Sequence, residues 1–424
     1  MPFVRTMLPA LLAAGAIAFG SVAQAQDYSD YNRGRNVSVL QRERPDYQAI
    51  GLHEGGFTIF PRIDAGAEYT SNVFKTENNT KSDVYAVVDP SLQALSNWGR
   101  HQLRGEIGLR IREFASQTSE NELGWYVSGA GRLDVHGESY LTANADIEHT
   151  YLRREDEDFP LLAAKPLPFT IYKLAGRGVF QANRLRTSAG VSIRADRYDD
   201  VPATTGGRVD DSGRDLTTVV GDIRGDYALT PDKALFLQGF ITNDNYRRDG
   251  GVFGPSRDSN EYKILGGASF DVSALLRGEI GVGYFKREYD SASFGTVSGL
   301  ALNGSIEYFP TQLTTLTLKL RRDAENSILQ NAGGYIYTGG SIRVDHELLR
   351  NLLLKGSVEY AKEDFEGIDR RDSVWTLTGG GTYFVNHTVG ISATAMWIKR
   401  DSTGANALRS FDDARLTFAI VLQR

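Results

Sequence analysis

Charged side chains recur at every second position through long stretches of this sequence, and apolar side chains fill the positions between them. Between Leu103 and Arg112, four charged residues alternate with apolar ones. Successive side chains of a β-strand point to opposite faces, so one face here needs water and the other needs lipid or a core. We expect twelve charged residues to line a water-filled interior: Arg104, Glu106, Arg110, Arg112, Arg132, Asp134, Arg177, Arg194, Asp222, Arg224, Lys319 and Arg321.

These twelve residues are of mixed sign, and two interpretations stay open. They could pair across neighbouring strands as a structural lattice of ion pairs that fills the interior. They could instead line a wet, weakly selective conduit, because a barrel of about eighteen strands is wide enough to hold an aqueous channel.

Catalytic chemistry has little support in the sequence. The six histidines show no metal-ligand spacing, and four of them lie in or beside short turns. The chain has no cysteine, and the nucleophile motif G-x-S-x-G is absent. Asp146 and Glu148 form a carboxylate pair on one strand face, but a solvated interior explains them better than glycosidase chemistry. We therefore predict no enzyme activity, no metal site and no cofactor.

Acidic clusters mark two of the predicted loops. One is the run Arg153-Arg154-Glu155-Asp156-Glu157-Asp158, and the other combines Asp199-Asp200 with Asp210-Asp211. The spacing does not match a calcium loop, so we expect solvated loop tips. The alternative is that divalent ions bridge these carboxylates to lipopolysaccharide phosphates.

The elements that position these side chains are eighteen candidate β-segments across residues 58–423. The gaps between them alternate between short turns, such as 136–139 and 230–233, and long polar loops, such as 153–168, 196–213 and 247–259. Outer-membrane barrels show this asymmetry, with short periplasmic turns and long exterior loops. We predict an all-β, transmembrane, antiparallel up-and-down β-barrel of about eighteen strands.

Aromatic residues near the segment ends on the apolar face agree with this fold, because membrane barrels carry aromatic girdles at both interfaces. They include Tyr69, Trp98, Tyr140, Tyr172, Tyr227, Tyr262, Tyr284, Tyr308, Tyr360, Tyr383 and Trp397.

The amino terminus has the features of a secretory signal. Arg5 is followed by an apolar run and by Ala23-Gln24-Ala25, so cleavage is expected between Ala25 and Gln26. Residues 26–57 form a polar leader, for which a disordered linker, a plug and a docking arm stay open. The net charge of −6 argues against nucleic acid as a partner.

A short region that includes the end of the leader and the first segment resembles a known family. It comprises Arg44-Pro45-Asp46-Tyr47, Ile50-Gly51-Leu52, residues 55–61 and residues 68–74. This pattern resembles the putative type-2 β-barrel porins of Gram-negative bacteria. The resemblance implies an outer-membrane barrel that takes part in exopolysaccharide or capsule export. Outer-membrane lipid, lipopolysaccharide, a polysaccharide and periplasmic export proteins would then be its partners. The chain departs from many such barrels in ending Val421-Leu422-Gln423-Arg424 rather than in an aromatic residue.

Two other functions remain open at this point. A general diffusion porin for small solutes would share every barrel feature, and an inward-folded loop at 153–168 or 196–213 would favour it. A non-transporting surface structural or adhesion barrel would be favoured by a lumen that ion pairs and the leader close completely.

Overall fold

The computed structural model describes residues 37–247, 254–272, 275–329 and 331–424. The predicted signal peptide, its cleavage position between Ala25 and Gln26, and leader residues 26–36 lie outside the described residues. Two single-turn 3₁₀ helices, Thr118–Glu120 and Ser212–Arg214, accompany a structure built otherwise from strands. No helix in the described ranges has the length and apolar character needed to cross a membrane.

The first half of the chain forms a short strand and eight long ones, with a small hairpin near its end. The strands are β1 Leu52–Glu54, β2 Phe57–Thr70, β3 Asp83–Ser96, β4 Gln102–Phe114, β5 Glu122–His136, β6 Ser139–Leu152, β7 Leu167–Ala182, β8 Leu185–Tyr198, β9 Val201–Pro202, β10 Arg208–Val209 and β11 Leu216–Thr230.

The second half contributes ten further strands. They are β12 Lys233–Tyr246, β13 Ser259–Val272, β14 Leu276–Tyr289, β15 Val297–Thr311, β16 Thr314–Asn326, β17 Gly334–Leu349, β18 Leu352–Glu366, β19 Arg371–Phe384, β20 Val389–Thr403 and β21 Phe411–Gln423.

Eighteen of these strands close into one antiparallel barrel. Each long strand from β2 to β21 pairs with its neighbour in the chain, β8 pairs with β11 across the β9–β10 hairpin, and β21 returns to pair with β2. In the closing seam, Arg62–Thr70 pair with Gln423–Arg415. The predicted fold and strand number are confirmed. The strand β1 was not predicted, because it is a three-residue hairpin partner of β2 within the leader.

Connections alternate in length as the sequence indicates. Several turns on one side contain only two residues, including 137–138, 183–184 and 231–232, whereas the other side carries 71–82, 153–166, 199–215 and 247–258. We assign the side with short turns to the periplasm. The polar loop expected at 196–213 begins later, because β8 continues to Tyr198.

The outer face of the barrel is apolar. On β4, Leu103, Ile107 and Leu109 are 43–50% exposed, whereas Arg112 on the opposite face is 4% exposed. A continuous exposed apolar surface of this kind needs lipid to cover it. Most of the predicted girdle, such as Tyr172 and Tyr227, lies on this face. Tyr140 is the exception: it points inward and is buried, with its hydroxyl accepting a hydrogen bond from Arg186.

Candidate functional site in the barrel lumen

The twelve predicted lumen residues lie on the strand faces opposite the exposed apolar side chains. Ten of them take part in ion pairs. The pairs are Arg104–Glu106 (2.7 Å), Arg110–Glu148, Arg132–Asp134 (2.7 Å), Arg177–Asp222 (2.5 Å), Arg194–Asp196 (2.8 Å), Arg224–Asp226 (2.7 Å) and Arg321–Glu325. Lys319 is exposed within the lumen. Arg112 is buried, and among the described residues its Nε finds no hydrogen-bond partner.

Many of these pairs join residues two apart on one strand. An arginine and an acid at this spacing point to the same side of a strand, so they can pair without a neighbouring strand. The same spacing occurs at Arg62–Asp64 and Arg343–Asp345, which were not among the predicted residues. The repeated pattern Arg-x-Asp or Arg-x-Glu is visible in the sequence and could have identified them.

The lumen wall combines charge pairing with solvent contact. The side chains of Arg104 and Arg110 keep 31% and 38% of their surface exposed, although both are paired. Such half-exposed pairs contribute little to stability, typically about 0–1 kcal/mol each. They leave a polar wall that is accessible to solvent, so ion pairing alone does not seal the lumen.

Cations also cover aromatic rings in the lumen. The guanidinium of Arg132 lies 4.0 Å from the centre of the Tyr140 ring, and that of Arg224 lies 4.0 Å from the Phe236 ring. The same arrangement joins Arg110 to Tyr126 and Arg321 to Tyr337. The guanidinium occupies one face of each of these rings, so that face is not open for a sugar to stack on.

The loop between β6 and β7, residues 153–166, crosses the lumen, and we call it the crossing loop. The Tyr335 hydroxyl on β17 donates a hydrogen bond of 3.0 Å to Glu157 Oε1 in this loop. In the ring of eighteen strands, β17 lies nine strands from β6 in either direction. The contact therefore joins diametrically opposite walls of the barrel.

Backbone carbonyls of the crossing loop are anchored by arginines from distant elements. Arg400 Nη1 on β20 donates to the Glu155 carbonyl at 2.7 Å. Arg370 Nη2 donates to the Glu157 carbonyl at 3.1 Å, and Arg214 Nη2 donates to the Asp158 carbonyl at 2.8 Å. These contacts satisfy backbone carbonyls of a segment that forms turns and has no partner in the barrel sheet.

Side chains of the same loop add ion pairs and hydrogen bonds. Glu155 pairs with Arg415 on β21 at 3.0 Å and with Lys75 at 3.9 Å. Asp158 accepts hydrogen bonds from Ser327 Oγ at 3.2 Å and from the Ile328 backbone N–H at 3.1 Å. Burial alone would raise the pKa of Glu155, but the charges of Arg415, Lys75 and Arg153 outweigh it and lower the pKa to about 2. Glu155 thus stays ionised and docked down to strongly acidic pH.

The expectation of a solvated tip at residues 153–158 is wrong. Glu155 and Asp156 are both 6% exposed, because the loop folds into the barrel instead of projecting from it. Asp199, Asp200 and Asp210 in the neighbouring loop are exposed, as the sequence indicates, whereas Asp211 is buried.

Asp156 gives the crossing loop a dependence on pH. Burial, and then the charges of Glu157 and Glu155, raise the pKa of Asp156 well above its ordinary value. Its Oδ2 accepts a hydrogen bond of 2.5 Å from the Arg153 backbone N–H. The cation of Arg400 on β20 also interacts with Asp156.

The docked loop holds the Asp156 proton more tightly than an undocked loop would. Docking of the loop is therefore most stable at low pH. As the pH rises from the ordinary pKa of an aspartate to the raised pKa of Asp156, the free energy of docking becomes less favourable by about 1.4 kcal/mol per pH unit. Burial, and then the charge of Glu157, also raise the pKa of Asp158. We therefore predict that single-channel conductance rises as the pH increases above the ordinary pKa of an aspartate, and that Asp156→Asn reduces the rise. The exposed Asp199→Asn is the matched control. An unchanged pH dependence in Asp156→Asn would exclude Asp156 as the titrating group.

Two of the histidines have neighbouring polar groups within hydrogen-bond distance. His101 Nδ1 accepts a hydrogen bond from the Asp134 backbone N–H at 3.1 Å, and His149 Nδ1 lies 3.1 Å from Thr170 Oγ1. In the part of the chain that the structure describes, no group of three or more His, Cys, Asp or Glu residues could hold a metal ion.

Comparisons with known proteins identify one matching family. A family model described as "Putative beta-barrel porin 2" matches residues 44–424. Similar solved structures include the outer membrane protein opdK from Pseudomonas aeruginosa, with 13% identity over 86% of this chain and 99% of that chain and a TM-score of 0.43. OccK2 (OpdF) from Pseudomonas aeruginosa in complex with glucuronate shows 14% identity over 86% and 97%, with a TM-score of 0.46. A BenF-like porin from Pseudomonas fluorescens Pf-5 shows 12% identity over 86% and 99%, with a TM-score of 0.44. No curated protein matches the chain.

Proposed function

The chain belongs to the family described as "Putative beta-barrel porin 2", an outer-membrane β-barrel porin, and from that premise we propose that it is a diffusion porin for small polar solutes. In this proposal the crossing loop is the constriction that limits solute size. No reaction is catalysed, and no cofactor or metal takes part.

The observation that carries the proposal is the contact between opposite walls through Glu157 and Tyr335. A loop fixed across the lumen narrows the passage, which favours solutes that are small relative to the diameter of the barrel. Solute in the lumen would meet fixed charges of both signs, since the partly exposed Arg104–Glu106 and Arg110–Glu148 pairs line the wall. Weak, repeated polar contacts of this kind allow entry without trapping the solute.

Export of a polysaccharide, which the family resemblance implies, fits these features less well. A polymer needs an open bore along its whole path, so the crossing loop would have to leave the lumen entirely. Sugar chains also gain from open aromatic faces, and the rings of Tyr126, Tyr140, Phe236 and Tyr337 lie beneath cations.

A purely structural or adhesive barrel is the remaining alternative. It would have a dry, fully paired interior. The partly exposed side chains of Arg104, Arg110 and Arg343 weigh against it, because they keep contact with solvent inside the barrel. On the outer face we propose lipid and lipopolysaccharide as partners, in agreement with the exposed Lys286–Glu288 pair near the exterior end of β14.

Ion conduction in planar bilayers tests the proposal, and Lys319 makes the test specific. Lys319 lies on the lumen face of β16, where its charge acts on Glu359 of β18. We predict that Lys319→Glu shifts the reversal potential in a salt gradient towards cation preference, because it adds a second carboxylate beside the path.

The matched control is Lys286→Glu, which makes the same charge change at an exposed position on the outer face. We expect wild-type reversal potentials from this control. Equal shifts in both variants would show that Lys319 is not beside the conducting path, and no conductance in any form would refute a porin.

A further inference from the structure

The described part of the leader enters the periplasmic end of the barrel. We call residues 38–48 the leader segment. Its contacts are inward-facing residues of six strands, from β14 to β21: Arg277, Thr315, Glu347, Leu353, Phe384 and Gln423. Because these strands extend over more than a third of the ring, the leader segment lies across the mouth rather than along one strand.

An apolar anchor holds the beginning of the leader segment. Val39 is fully buried, packed against Leu353 of β18 and Phe384 of β19. Tyr47 packs against the same cluster, with its ring centre 6.4 Å from that of Phe384. The Val39 backbone N–H donates a hydrogen bond of 3.0 Å to Thr315 Oγ1, so the backbone is fixed as well as the side chain.

A buried ion pair holds the middle of the leader segment. Arg44 Nη2 lies 2.9 Å from Glu347 Oε2, and both side chains are about 5% exposed. The same Nη2 donates a hydrogen bond of 2.6 Å to the Val39 carbonyl. Removing one partner of a buried pair leaves an uncompensated charge, so losing either side chain should weaken the docking of the segment.

Gly51 connects the leader segment to the wall. Its φ is +76°, and a Cβ at this position would lie 2.3 Å from Thr58 Cγ2. Only glycine adopts this turn readily, and the turn sends the leader back into the mouth immediately before β1. The short tether keeps the segment at high effective concentration, so docking and release are intramolecular events.

We propose that the leader segment is a releasable plug that restricts flow through the periplasmic mouth, with the Arg44–Glu347 pair as its latch. The proposal rests on the porin function above, because a plug can restrict flow only if the lumen conducts. Docked, the segment places backbone and side chains in the path of solute; released, it leaves the mouth to solvent.

A disulfide between leader and wall tests the plug. The natural chain has no cysteine, so Val39→Cys with Leu353→Cys introduces the only pair. In planar bilayers we expect low conductance from the oxidised double variant and a several-fold increase on adding a reductant. Failure of the disulfide to form in the folded barrel, read by electrophoresis without reductant, would contradict the contact itself.

A second variant acts on the latch without a crosslink. Glu347→Gln should raise the mean conductance, because it leaves Arg44 buried without a counter-charge. Glu288→Gln removes a carboxylate from an exposed pair and should behave as wild type. For the crosslink, the control is Ser357→Cys with Thr378→Cys, which joins facing residues of β18 and β19 within the wall and should not respond to reductant.

The results of these experiments distinguish the plug proposal from the porin proposal. Equal conductance of the oxidised and reduced Val39–Leu353 variant, with wild-type conductance of Glu347→Gln, would overturn the plug and leave the porin intact. A variant lacking residues 26–48 that conducts no ions would overturn the porin proposal.

Discussion

Single-channel conductance should rise several-fold when Glu155, Asp156, Glu157 and Asp158 are all replaced by alanine. The replacement removes the ion pair with Arg415 and the hydrogen bond from Tyr335. It leaves Arg415 and Lys75, both buried, to share the single carboxylate of Asp413, and an uncompensated buried charge typically costs about 3–5 kcal/mol. Undocking the loop exposes these cations to water, which relieves that cost and opens the lumen.

The control must remove equal charge without touching the crossing loop. Glu77, Asp199, Asp200 and Asp210 are all exposed in neighbouring exterior loops, and replacing these four with alanine gives the same change in net charge. We expect wild-type conductance from this control. Wild-type conductance from the first variant as well, in a barrel shown to be folded, would mean that the loop does not limit flow.

Barrel closure should fail in Gly66→Val. Gly66 lies in the seam between β2 and β21, where it pairs with Ala419. A Cβ at Gly66 would lie 2.0 Å from the Phe418 carbonyl oxygen, which belongs to the backbone and cannot turn away. Overpacking usually costs about 1–3 kcal/mol, and a backbone clash in the closing seam belongs at or beyond the upper end of that range. The folded fraction, read from gel migration before and after heating, should fall strongly.

Gly129→Val is the matched control for this substitution. Gly129 lies on the outer face of β5, and a Cβ there meets nothing within 4 Å. Valine also suits a strand and a lipid-facing surface better than glycine. We expect a wild-type folded fraction or better. Equal folding of the Gly66 and Gly129 variants would contradict the close approach of the two seam strands.

Period-two alternation was sufficient to predict the barrel. It identified the two faces of each long strand, and alternating gap lengths gave the strand number. Both signals are local, since each depends on residues a few positions apart. The same reasoning misplaced Tyr140, because aromatic residues are favoured on both faces of a sheet and only the register decides.

The position of the acidic segment could not be read from the sequence. A run of four acidic residues is normally exposed to solvent unless cations pair with it. Here the cations that pair with it come from distant parts of the chain. Glu155 and Arg415 are 260 residues apart, and Tyr335 is 178 residues from Glu157. The contact between Arg44 and Glu347 joins residues 303 positions apart, and it could not be predicted from the sequence for the same reason. Such contacts appear only when the barrel closes.

Liposome swelling with solutes of graded size tests the central claim, that a hydrated lumen crossed by a loop passes small solutes. Proteoliposomes would be mixed with a monosaccharide, a trisaccharide and a long polysaccharide. We predict fast swelling with the monosaccharide, slower swelling with the trisaccharide and none with the polymer, and faster swelling with the trisaccharide once the four acids of the crossing loop are replaced. No swelling with the monosaccharide in either form, or passage of the polymer at the rate of the monosaccharide, would contradict it.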